Sequence, residues 1–97
     1  MITQTSEPRL RHDPGATHFE LLAGAEVATL QYHLERGRMV ITHTFVPPTL
    51  RGGGVAAQLV RAALAEAREQ GWKVRSECSY VTVFLQRYSD EFADLTE

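Results

Sequence analysis

No second cysteine accompanies Cys78 in this chain of 97 residues, so an internal disulfide cannot hold the fold together. Stability must come from a buried core, and a chain this short has room for one. The scarcity of cysteine suits a reducing compartment. The histidines, His12, His18, His33 and His43, show no HxxxH spacing and have no CxxC pair to join them, so a metal centre lacks support. Neither sign of charge dominates: ten basic against twelve acidic side chains leave a net of −2, and no basic block occurs. A nucleic-acid binder would show the opposite balance. No apolar run approaches the ~20 residues that cross a bilayer, and "MITQTSEPRLRHDPGA" lacks the apolar centre of a signal peptide. A cytoplasmic protein with neither nucleic-acid nor membrane partners is expected. Residues 1–15 read as a flexible polar arm and 16–97 as a single domain, without repeats or low-complexity tracts.

What is present alternates. "THFELLA" puts Phe19, Leu21 and Ala23 on one side, and "VATLQYHL" does the same for Ala28, Leu30, Tyr32 and Leu34. "GAE" and "ERGR" are tight turns, the second with Gly37 suited to a positive φ. "MVITHTFV" is apolar on both faces and belongs inside a sheet. These segments predict a three-stranded antiparallel meander, ended by Pro47 and Pro48, which cannot donate to a ladder. The period then changes: Val55, Ala56, Leu59, Val60, Ala63, Leu64 and Ala67 share a helical face, and Gly71 stops the helix. "WKVRSEC" is a fourth strand, parallel to the third through a right-handed crossover. Val81, Phe84, Leu85 and Tyr88 mark a short last helix, with Ser79 as its starting cap. The tail "SDEFADLTE" carries no clear pattern. The fold class is α/β (α+β), in the order β-β-β-α-β-α.

At the junction of the third strand and the first helix stands "FVPPTLRGGGVAAQLVRAAL". Gly52, Gly53 and Gly54 leave the main chain bare, the first helical turn offers unpaired N–H groups, and Arg51 adds a charged donor. Such a loop either turns a corner or cradles a phosphate. A P-loop is excluded, because no Lys-Ser or Lys-Thr pair follows, and the dinucleotide fingerprint needs another glycine spacing.

The stretch from Arg51 through Gly52, Gly53, Gly54 and Val55 to Ala56 resembles the (Arg/Gln)-x-x-Gly-x-(Gly/Ala) acyl-CoA signature of the GNAT superfamily of N-acetyltransferases. Arg51, Gly54 and Ala56 take its defined positions. With "CSYV" further on, residues 17 to about 92 are similar to the small single-domain members. The resemblance implies a minimal GNAT fold that binds acetyl-CoA. The main chain of Arg51, Gly52, Gly53, Gly54, Val55 and Ala56 would hold its pyrophosphate. Phe45 and Val46 would hold the pantetheine arm and thioester carbonyl, in a splay between the strands ending at Val46 and Cys78.

Three residues are candidates for the proton work. The resemblance implies Tyr80 as the acid for the departing thiolate; its other reading is an aromatic anchor for the last helix. By alternation His43 shares a face with Met39, Ile41 and Phe45, as a core residue or as a base, since an imidazole titrates near pH ~6.5. Cys78 shares parity with Val74 and Ser76, which suits a small core residue or a cofactor contact, and it stands just before a helix N-terminus that can acidify its thiol. The resemblance, in which the small members carry a cysteine here, implies an acyl relay. Two departures from the family stand out. Only "GAE" separates the first two strands, where typical members insert helices that wall the acceptor site, so that side is open or is closed by a second subunit of a homodimer. Small members often carry a carboxylate where this chain has Phe45. The function implied is acetyl transfer from acetyl-CoA to an amine, of a small molecule or a protein lysine; the alternative is an acyl-CoA-binding or CoA-binding module with little turnover.

Overall fold

The computed structural model describes residues 9–96. Five strands form one sheet in sequence order: β1 (Arg9–Asp13), β2 (His18–Ala23), β3 (Glu26–Glu35), β4 (Arg38–Phe45) and β5 (Lys73–Ser76). The first three pairings are antiparallel, and β4 to β5 is parallel, through helix α1 (Val55–Gln70). A single 3-10 turn (Pro48–Leu50) precedes that helix, and α2 (Ser79–Arg87) follows the last strand. This is the minimal GNAT arrangement expected, with one strand more.

The additional strand is β1, so the meander has four strands and the sheet starts inside the segment read as an arm. The rest of that arm, residues 1–8, lies outside the described residues. "RLRHD" has one apolar residue and so escapes any test of alternation. It is held by pairing and by one side chain: His12 stacks on Phe19 with ring centroids 4.1 Å apart and hydrogen-bonds the Tyr32 hydroxyl at 2.6 Å. Burial, followed by the nearby charges of Glu66 and Asp13, raises the Tyr32 pKa and keeps this phenol protonated.

Both helices pack on one face of the sheet. Leu59, Val60, Ala63, Leu64 and Ala67 of α1 are fully buried against Leu21, Ala28, Leu30, Met39 and Ile41, as a helix with a six-residue apolar stripe must be. Ala56 is only half-buried and lies at the edge of that stripe. The tail is ordered by the same core. Phe92 and Leu95 are buried, Leu95 O accepts from Val74 N, and the Arg68 guanidinium grips Asp94 through two bonds of 2.7 and 2.8 Å. Arg61 pairs with Glu91 and lies over the rings of Phe84, Tyr88 and Phe92. No helix among the described residues is long and apolar enough to cross a membrane.

Candidate functional site

Pro47 and Pro48 end β4 as expected, and the chain reaches α1 through the glycine loop. Gly52 and Gly54 adopt φ of 86° and 79°, left-handed values that any other residue would hold at a cost. Gly54 is the cap of α1 but has no side chain with which to cap it, and the first turn carries no acidic residue. Its carbonyl accepts from Gln58 N at 3.0 Å, while the N–H groups of Val55, Ala56 and Ala57 precede this first intrahelical donor. A Cβ built on Gly52 or Gly54 would meet nothing within 4 Å. The corner is open.

A groove of about 290 Å³ occupies that opening, lined by the loop, by Val55, Ala56 and Ala57, and by Val46 and Tyr80. Gly53 and Phe45 stay outside the lining. Arg51 is exposed and folds back so that its Nε donates to Val46 O at 2.9 Å. One of its donors is thus spent on tying the loop to the end of β4; its terminal nitrogens have no partner among the described residues.

Past Ile41 the two parallel strands part. Their pairing ends at Ile41 with Ser76, followed by one bond from Glu77 N to Ile41 O, whereas β4 runs on to Phe45. The divergence starts at a bulge: Tyr32 faces Ile41 and Gln31 faces His43, so Thr42 has no residue opposite. The bulge also overturns the alternation expected of this strand. Met39 and Ile41 face α1, but past Thr42 the sides exchange. Thr44, opposite Leu30, faces the helices, and His43, opposite Gln31, turns to the helix-free face. His43 therefore does not share a face with Met39 and Ile41, and it is exposed rather than a core residue. Phe45 goes with it, 46% exposed.

Thr44 instead meets Cys78 across the gap, with Oγ1 3.4 Å from Sγ. Thirty-four positions separate the two residues, and only the bulge sets Thr44 on this side. Cys78, rather than Ser79, is the residue that caps α2; the cap is made by backbone, and Ser76 Oγ steadies it by accepting from Cys78 N and donating to Cys78 O. The thiol is half-buried against the core. Burial opposes its ionisation, but the Thr44 hydroxyl and the backbone N–H groups of Val81, Tyr80 and Thr44 outweigh that and hold its pKa below the ordinary value. Alkylation of Cys78 by iodoacetamide, followed against pH, is expected to titrate below an ordinary cysteine thiol measured in an unfolded peptide of the same sequence. A Thr44→Val variant, having lost a donor to the thiolate, should titrate higher, and Thr44→Ser should return it. An unchanged profile in Thr44→Val would remove Thr44 from this role.

Tyr80 is 42% exposed at the head of α2 and lines the groove, so it does not serve as a buried anchor; Val81 and Phe84 do that. The structure thus brings together the loop, Val46 and Tyr80, joins Cys78 to Thr44 in the adjoining gap, and sets His43 and Phe45 on the opposite face. Sequence reasoning missed Thr44, and no local signal marks it, because its side depends on the bulge. No group of three or more His, Cys, Asp or Glu among the described residues could hold a metal ion.

A family model described as GCN5-related N-acetyl-transferase matches residues 18–95. The chain is also similar to a GCN5-like protein from Staphylococcus aureus whose solution structure was determined by NMR. The two are 25% identical, with a TM-score of 0.74 over 92% of this chain and 87% of that one. No curated protein matches it.

Proposed function

The chain belongs to the GCN5-related N-acetyltransferase family, and from that premise we propose that it transfers the acetyl group of acetyl-CoA to an amine of a small molecule or a protein lysine. The observation that carries this reading is the groove between the glycine loop and Tyr80. It is open above Gly52 and Gly54, floored by unpaired N–H groups, and free of carboxylates in its lining. Those features fit a diphosphate. The path past Val46 into the gap between β4 and β5 fits a narrow, uncharged pantetheine arm.

Each residue then has a task. Main-chain N–H groups of the loop and first helical turn bind the diphosphate, and the free end of Arg51 adds charge to it. Main-chain groups near Phe45 and Val46, left without a β5 partner by the splay, orient the thioester carbonyl. They stabilise the oxyanion that forms when the amine attacks, an effect commonly of about 3 kcal/mol for one aimed donor. As the carbon–sulfur bond breaks, the Tyr80 phenol gives its proton to the CoA sulfur. His43, exposed on the helix-free face, takes the proton of an amine arriving from that side. Cys78 and Thr44 border the thioester end as contacts.

Calorimetric titration with acetyl-CoA is expected to saturate below about 1 mM. Thiol release should then be seen only when polyamines or lysine peptides are added. A silent titration would overturn the reading. Binding without release would favour the second reading, an acyl-CoA-binding module, which draws its support from the absence of imidazole and carboxylate in the groove lining.

A further inference from the structure

Strand β5 pairs with β4 on one side only, and its other side is an edge of the sheet. Lys73 N and Glu77 N donate to Gly37 O and Ile41 O, so residues of that parity turn their main chain toward β4. Val74 and Ser76, of the other parity, turn theirs outward. Val74 N is taken there by Leu95 O of the tail. Val74 O, Ser76 N and Ser76 O have no partner among the described residues. This edge and one side of α2 line a groove of about 540 Å³, which shares no residue with the groove at the glycine loop. Thr82, Leu85 and Gln86 of α2, with Ser89 just beyond it, fall at i, i+3, i+4 and i+7 and present an uncharged stripe. Arg75, paired with Val40, lines the same groove from the helix-free face, and no carboxylate lines it. Arg75 has no ion-pair partner among the described residues, and neither has Glu77, two positions on along that face.

We propose that the edge of β5 is a docking site for an extended peptide segment of another protein, which adds to the sheet antiparallel to β5. A small uncharged residue of the segment stands opposite Ser76, an acidic one opposite Arg75 and a basic one opposite Glu77. The inference does not rest on the acyl-CoA reading. An added strand in this register satisfies all three open main-chain groups: its central residue exchanges two bonds with Ser76, and the residue two further on donates to Val74 O. Arg75 and Glu77 then fall at non-hydrogen-bonded pairs, where side chains stand closest and charge complementarity counts most. The alternate side chains of the segment enter beneath α2, against its uncharged stripe. The tail shows that this edge accepts another stretch of main chain, since Leu95 already takes one rung. A second copy of the chain fits poorly. Because α2 and Arg75 line one groove from opposite faces of the sheet, α2 stands over the edge. Two paired β5 strands would bring two such helices together at a strand spacing of about 4.8 Å, where packed helices need about 8–10 Å.

The experiment titrates the full chain, labelled with nitrogen-15, with the capped peptide acetyl-Thr-Arg-Ser-Glu-Val-amide, followed by NMR. A dissociation constant of about 1 mM or below is expected, with the Ser76 amide among the signals that move. At a free peptide concentration ten times that constant, exchange of the Ser76 amide with water should slow by about tenfold. Interchanging Arg and Glu in the peptide sets like charges opposite each other and should weaken binding about tenfold. A protein carrying Arg75→Glu together with Glu77→Arg should prefer the interchanged peptide by a similar factor. Both residues are exposed, so the core stays intact, which a melting curve verifies. A peptide N-methylated at its serine cannot donate to Ser76 O and should not bind. Equal affinities for the two peptides, or a Ser76 amide that does not move, would overturn the inference and leave the acyl-CoA reading untouched. A dimer in sedimentation of the protein alone, with the Ser76 amide already protected, would assign the edge to a second copy and overturn it as well.

Discussion

A Gly54→Leu variant is expected to stay folded and to lose acetyl-CoA affinity by about a hundredfold or more, equivalent to some 2.7 kcal/mol. Two effects act at this position and can be separated. Gly54 sits at φ 79°, ψ 12°, where an L-residue carries about 1–2 kcal/mol of strain. A domain stabilised by about 5–15 kcal/mol survives that. The space above the residue is empty to 4 Å, so a leucine meets no protein wall; it fills the space through which a diphosphate would reach the N–H groups behind it. The other end of the same helix supplies the control. Gly71 has φ 78°, ψ 21° and the same empty surroundings. Gly71→Leu should lower the melting temperature as much as Gly54→Leu does, yet bind acetyl-CoA like the unmodified protein. If both variants bind equally well, the loop is only a corner and the cradle does not exist.

Deleting Thr42 should be as damaging to function and far gentler on the fold. Thr42 is the residue without a partner in the pairing of β3 with β4, and its own hydroxyl makes one long, exposed bond of 3.3 Å to Gln31 O. Without it, Ile41 is followed directly by His43, alternation becomes regular, and Thr44 keeps its side. What changes is the bend. A bulge turns its strand and sharpens the local twist; once it is removed, β4 runs straight beside β5 and the ladder extends past Ser76. The expected result is a melting temperature equal to or above that of the unmodified chain, with acetyl transfer down by about 10²–10³, the usual loss when an aimed oxyanion donor is withdrawn. A Thr42 deletion that still turns over at the original rate would show that the splay is not where the thioester lies.

The element order from β2 onward, the crossover helix and the glycine loop were legible because each depends on neighbours in the chain. Val55, Leu59, Val60, Ala63, Leu64 and Ala67 announce one face of a helix whatever covers it, and every one of them is buried. The turn at Gly37 and the stop at Gly71 follow from the same local preference, and both adopt a positive φ. "RLRHD" could not be recognised, since its place in the sheet rests on pairing with β2 and on the rings of Phe19 and Tyr32. Phe92 and Leu95 were obscure for a similar reason: two apolar residues in an acidic tail have no period, and it is Arg61, Arg68 and Lys73 that draw the tail onto the core.

His43 and Thr44 mark the boundary most sharply. Strict alternation places His43 beside Ile41, and a single unpaired residue reverses that assignment for the rest of the strand. By itself the sequence determined the strands β2 to β5, the two helices and where bare main chain meets a helix start, because periodicity and backbone preference act within a few residues. The tertiary structure alone decided which side of β4 faces the groove, that Thr44 meets Cys78, and how far β4 and β5 diverge, because hydrogen-bond register between strands is settled by partners far away in the chain.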